Sequence, residues 1–260
     1  VREAAVDLVG RHAGARGKAD GQTLDLLLQR VADKSLSVRK RVILTMRDVL
    51  LAGKGGFGSV RADCTAIQRV LLRANDEEQT VRVAVVQTIT SLWLARPDGA
   101  ILAEDADLTR MHVFRARADQ LVACVQQERR VGGILADVLR RALELGTNST
   151  DDDAAAAATT EKKRHAAAFN HRAARTLAAC ILERILESDE GGDEGAAGAT
   201  GAAASAISYA AALRVLAAAS PELVSPPEDR LRVVATLRPH LRAREAATPQ
   251  ARALDNERVE

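Results

Sequence analysis

The sequence predicts an all-α protein, an α-solenoid of stacked helical hairpins, and three observations predict it. Of 260 residues, 47% are hydrophobic but only 2% are aromatic. The apolar material is therefore Leu, Val, Ile and Ala, which suits helix-on-helix packing better than a sheet. A hexapeptide recurs as VREAAV at Val1, VRKRVI at Val38 and VRVAVV at Val81, at intervals of 37 and 43 residues that fit helical-hairpin repeats. An Asp precedes the second and third copies by five residues, at Asp33 and Asp76, so the unit is D-x-x-x-x-V-R followed by an apolar helix.

After the first copy, TLDLLLQRVAD from Thr23 sets Leu24, Leu27, Leu28 and Val31 at helical spacing, and DKSLS then supplies turn and capping residues. In the next helix Val38, Val42, Met46 and Val49, with Ile43 and Leu50, form one apolar stripe that leaves Arg39, Lys40, Arg41 and Arg47 off it. A lone hairpin cannot cover such a stripe, so neighbouring hairpins must stack.

Between the second and third units lies LLAGKGGFGSVRADC. Gly53, Gly55, Gly58 and Val60 fit a kinase phosphate-loop pattern, and the three glycines also fit a dinucleotide-binding fingerprint. The flanking residues decide against both: the segment before the glycines has helical period, and no V-A-I-K, H-R-D or D-F-G follows. Asp76, 18 residues beyond Gly58, is accounted for by its place in the repeat. The glycines are expected to end one helix and turn the chain into the next, with Phe57 tucked between hairpins.

The third unit is CTAIQRVLLRA (Cys64 to Ala74), the acidic turn NDEEQ and TVRVAVVQTITSLWL (Thr80 to Leu94), with Trp93 as a core filler. Residues 1–94 carry the clear repeats, and 95–145 hold further helices near Arg117–Glu128 and Gly133–Leu145. Residues 146–160 (GTNSTDDDAAAAATT) read as a low-complexity loop, 161–187 as a helix, and 188–204 as a disordered acidic and Gly/Ala linker. A C-terminal helical pair over 205–243, near Ala204–Ala219 and Glu228–Ala243 with Pro221, Pro226 and Pro227 as breakers, precedes a tail over 244–260.

Charge and side-chain chemistry narrow the function classes. Net charge is +2, with 15 Lys/Arg against 10 Asp/Glu in residues 1–94 and 14 against 18 in residues 95–204. The basic third permits a nucleic-acid surface without requiring one. Cys64, Cys124 and Cys180 are far apart in sequence and read as separate buried thiols; neither they nor the five His form a metal motif. No cofactor is expected. No run of about 18 apolar residues suggests a membrane span, and the absence of an initiator Met suggests a piece of a longer chain.

VREAAVDLVGRH, SVRKRVILTMRDVL and LLRANDEEQTVRVAVVQTITSLW resemble consecutive HEAT repeats of the Nipped-B/adherin family, the large subunit of the cohesin loader. The later helices resemble it more loosely, and the two low-complexity inserts depart from it. The resemblance implies a non-enzymatic, hook-shaped solenoid on chromatin in the nucleus. It would engage cohesin's SMC and kleisin subunits and DNA, and stimulate cohesin's ATPase. The loader's partner subunit would bind an N-terminal extension not included in this sequence. By the same resemblance Arg2, Asp33, Arg39, Asp76 and Arg82 form a structural ladder between repeats. Lys40, Arg41 and Arg47 lie outside ladder and stripe, and Lys40 and Arg47 share a helix face, so these three are the candidate DNA or partner contacts. The alternatives are a generic HEAT-type protein scaffold, a nucleotide enzyme at the glycines, and a HEAT-like glycosylase, for which the chain has few aromatics.

Overall fold

The computed structural model describes residues 2–16, 19–52, 56–95, 106–128, 130–144, 154–190 and 195–224. Their regular elements are helices: α1 (Arg2–Arg16), α2 (Gly21–Arg30), α3 (Leu36–Leu51), α4 (Val60–Leu71), α5 (Gln79–Ile89), α6 (Ala106–Gln127), α7 (Val131–Glu144), α8 (Ala154–Glu190) and α9 (Gly195–Ala219). A π turn over Thr90–Leu94 extends α5, and a 3₁₀ turn over Pro221–Leu223 follows α9.

Two layers result. The odd-numbered helices pack in sequence, α1 on α3, α3 on α5, α5 on α7 and α7 on α9, and the even-numbered ones do likewise, α2 on α4, α4 on α6 and α6 on α8. Helices adjacent in sequence cross between layers. This is the solenoid that the repeat implied, because each amphipathic hairpin covers the apolar stripe of the one before it. The α3 stripe is buried as its spacing required: Val38, Val42, Ile43, Met46 and Val49 face the core. Helices α1 and α3 approach closely, since a Cβ on Gly10 would sit 2.8 Å from Thr45 Cγ2.

The helix starts follow local chemistry. Asp20 caps α2 by accepting from the Thr23 amide at 2.8 Å, and Ser59 caps α4 through the Ala62 amide at 3.1 Å. In the connection before α4, Gly56 and Gly58 have φ of +51° and +87°, a region that favours glycine. The Asp63 carboxylate accepts from the Phe57 amide there at 2.7 Å, and Phe57 is buried. Helix α3 precedes the connection and α4 follows it, so no strand leads into these glycines; Gly53 and Gly55 lie outside the described residues.

Two expectations need correction. Helix α8 begins at Ala154 within the stretch read as a loop, and it runs on to Glu190. Helix α9 begins at Gly195 within the stretch read as a linker. Low complexity was read as disorder, but both stretches are rich in alanine, which loses no side-chain rotamer entropy on entering a helix. The expected helix near Glu228–Ala243 and the tail over 244–260 lie outside the described residues, as do 146–153 and 191–194.

Candidate interaction surface

The turns before α3 and α5 are the same structure built twice. In the first, Asp33 Oδ1 accepts from the Ser35 amide at 2.9 Å; in the second, Asp76 Oδ1 accepts from the Glu78 amide at 3.2 Å. Each turn is then closed by the Arg six residues after its Asp. Arg39 Nη1 donates to the carbonyls of Asp33 and Lys34 at 3.0 and 3.2 Å, and Arg82 Nη1 donates to those of Asp76 and Glu77 at 2.6 and 2.8 Å.

The ladder joins consecutive units. Arg2 Nη1 meets Asp33 Oδ2 at 3.0 Å, and Arg39 Nη2 meets Asp76 Oδ1 at 2.9 Å. The receiving carboxylates are nearly out of solvent, with side chains 2% and 4% exposed, and the Arg39 side chain is 13% exposed. A planar fork spans two turns at once here, which a lysine could not do. Arg82 also holds its own helix, its Nε and Nη2 donating to Gln79 at 3.0 and 2.5 Å, and it meets no forward Asp among the described residues.

Sequence reading missed one member of each turn. Arg30 and Arg73, three residues before their Asp, lie 3.6 and 3.8 Å from its carboxylate. The signal was present, because both copies read R-x-x-D-x-x-x-x-V-R.

The three candidate contacts on α3 separate. Lys40 is exposed and makes no ion pair among the described residues. Arg41 lies 3.3 Å from Asp7 and 4.0 Å from Glu3 on α1. Arg47 forks onto Asp48 at 2.8 and 2.9 Å. The structure thus answers two of the three charges from within the chain, and does not gather the three into one uncompensated strip.

Farther along the solenoid a second polar cluster bridges three helices. Tyr209 of α9 donates to Asp119 Oδ1 of α6 at 2.8 Å, Arg184 of α8 lies 3.5 Å from Asp119 Oδ2, and Arg115 meets Glu183 at 2.8 Å. Burial, aided by the bond to Asp119, pushes the Tyr209 hydroxyl up to about 12. At the seam between the two regions the buried Trp93 donates through its indole nitrogen to Gln120 at 3.0 Å. Arg117 donates to the carbonyls of Trp93 and Ala95 at 3.3 and 2.7 Å, and burial lowers its pKa. No group of three or more metal-ligating side chains occurs among the described residues.

Over 93 residues, 36% of this chain, the sequence is 39% identical to Nipped-B-like protein A of Danio rerio. Over the same length it is 38% identical to Nipped-B-like protein of Homo sapiens and 36% identical to Nipped-B protein of Drosophila melanogaster. That stretch resembles a segment of the Nipped-B proteins. The chain spans only 3–4% of the length of these Nipped-B relatives. No family model matches it, and no solved structure matches it.

Proposed function

We propose that this chain is a HEAT-type solenoid segment of a cohesin-loading factor, acting without catalysis of its own on nuclear chromatin. In this reading it contacts cohesin's SMC and kleisin subunits and DNA, and contributes to stimulation of cohesin's ATPase. The observation that carries the reading is the coincidence of two features. The Arg-to-Asp ladder fixes a rigid repeat stack, and the chain has a Nipped-B-like stretch of 93 residues. A solenoid held this way offers extended surfaces for partners. No described helix is long and apolar enough to cross a membrane.

The test is to immobilise the 260-residue chain and challenge it with purified cohesin, with the isolated kleisin and with duplex DNA, beside an unrelated HEAT cargo peptide. Capture of cohesin or kleisin over the unrelated cargo supports the reading; equal or absent capture overturns it. On DNA, Lys40→Glu should reduce the slope of log affinity against log salt by about one. Arg41→Glu and Arg47→Glu should change it less, because their charges are already answered by Asp7 and Asp48.

A second reading is favoured by that same pairing. If Lys40→Glu leaves DNA affinity unaltered at low salt while protein capture persists, the segment is a protein scaffold with no contact to DNA.

A further inference from the structure

Sequence spacing separates the three cysteines, but folding brings two of them together. Cys64 on α4 and Cys124 on α6 lie on neighbouring helices of the even layer, 60 residues apart, with their sulfurs 3.1 Å apart. A disulfide bond is roughly 2.05 Å long, so about one ångström of approach separates this contact from a covalent link. Both residues are out of solvent, at 1% and 0% exposure, and both are free thiols.

Polar contacts hold the two helices in register at this height. Gln68 Nε2 donates to the Cys124 carbonyl at 3.2 Å, and Gln127 Nε2 donates to Thr65 Oγ1 at 3.0 Å. Thr65, Gln68 and Gln127 flank the sulfurs within about one helical turn on each helix. Sliding of α4 along α6 would break both bonds, so the sulfurs meet repeatedly in one geometry. Cys180, on α8, is buried and has no sulfur partner among the described residues.

We propose that Cys64 and Cys124 form a peroxide-responsive dithiol whose oxidation to a disulfide locks the α4–α6 joint of the solenoid. The contact assigns the order of events. The Cys124 thiol donates to Cys64, which lowers the Cys64 pKa and, together with burial, raises that of Cys124. Cys64 is therefore the sulfur that attacks. Cys64 first ionises, its thiolate attacks one oxygen of hydrogen peroxide, the O–O bond breaks to leave Cys64 as the sulfenic acid, and the departing hydroxide takes the proton released on ionisation to leave as water. Cys124 sulfur then attacks the Cys64 sulfenic sulfur; the S–S bond forms, the S–O bond breaks, and the Cys124 proton leaves with the hydroxyl as a second water. Two thiols and one peroxide become a disulfide and two waters. Because the sulfurs are shielded, peroxide must reach them through local opening of the joint, so oxidation is slower than at an exposed thiol. The product ties hairpin α4/α5 covalently to hairpin α6/α7.

The reduced full chain is treated with hydrogen peroxide, quenched with a thiol-alkylating reagent and mapped by mass spectrometry, folded and in denaturant. In the folded chain the expected product is a single internal cross-link between the Cys64 and Cys124 peptides, with Cys180 alkylated on later denaturation. The denatured chain should give a mixture of all three pairings. Cys180→Ser should behave like the parent, and Cys64→Ser and Cys124→Ser should each abolish the folded-state cross-link, with helicity by circular dichroism checking that they fold. Amide hydrogen exchange in α4 and α6 should slow on oxidation and recover with a reductant. The same mixture of pairings from the folded and denatured chains, over-oxidation of Cys64 without a cross-link, or unchanged exchange after cross-linking would each overturn the proposal.

Discussion

Helices α1 to α5 and helices α6 to α9 keep the same two-layer stack by different polar means. In the first region each joint carries an Arg-to-Asp rung and a turn closed by the next Arg, repeated nearly atom for atom. In the second, no such repeat recurs among the described residues: ion pairs join α6 to α8 singly, and arginines and an asparagine reach from their helices onto carbonyls. Arg140 donates to Ala218 at 2.8 Å, Arg141 to Ala74 at 3.1 Å and Asn170 to Ala142 at 3.2 Å. The layering survives the loss of the rungs, because Leu121, Leu135, Leu139 and Leu177 are as thoroughly buried as Ile43 and Ile67. Apolar burial drives stacking, and the charged turns set the register at which it occurs.

The largest expected effect lies at the seam between these regions. Trp93→Ala empties a fully buried site on the π turn, which packs on α3, α6 and α8. It should lower stability by about 3–5 kcal/mol in urea unfolding followed by circular dichroism. Next comes a direct comparison of the two polar systems. Asp76→Ala strands the Arg39 fork in a nearly dry turn and should cost about 3 kcal/mol, whereas Asp119→Ala, in a half-exposed cluster, should cost about 1 kcal/mol or less. Equal losses would mean that the ladder is no more than a surface ion pair.

A gentler change sharpens the point. Arg39→Lys retains the charge but cannot hold Asp76 and its own turn carbonyls together. A loss of about 1–2 kcal/mol is expected, and the same change at Arg47, which meets only its exposed neighbour Asp48, should be near neutral.

The smallest effect is a pH dependence confined to the second region. The folded Tyr209 holds its proton up to about 12, above the ordinary tyrosine value near 10. Between those values the native chain binds more protons than the unfolded one, so stability from this site is complete below about 10 and falls as pH rises toward 12. Tyr209 is the single tyrosine, so tyrosinate absorbance reports it alone. Tyr209→Phe should remove this component of the pH dependence and leave the ladder untouched.

Much of the first region was legible because its chemistry repeats at fixed spacing. Val38, Val42, Met46 and Val49 recur at the helical period and are buried, and Trp93 and Phe57 sit in the core as their size and apolarity required. The meetings that depend on folded proximity were not legible. Nothing in the α3 sequence announces that Arg41 faces Asp7, and 60 residues hide the approach of Cys64 to Cys124. The start of α8 was misread for another reason: Ala154 to Ala158 is low in complexity and, at the same time, strongly helix-forming.

The rung contact between repeats runs in one direction, from the arginine of one unit to the aspartate of the following one. Each unit therefore carries a donor on one flank and an acceptor on the other, and a tandem gene duplication supplies its own joint at the moment it occurs. An inverted copy would set carboxylate against carboxylate, and a half-unit deletion would leave a guanidinium facing a bare helix flank. Whole-unit gain or loss is thus the change of length that keeps every rung matched, donor to acceptor, along the stack.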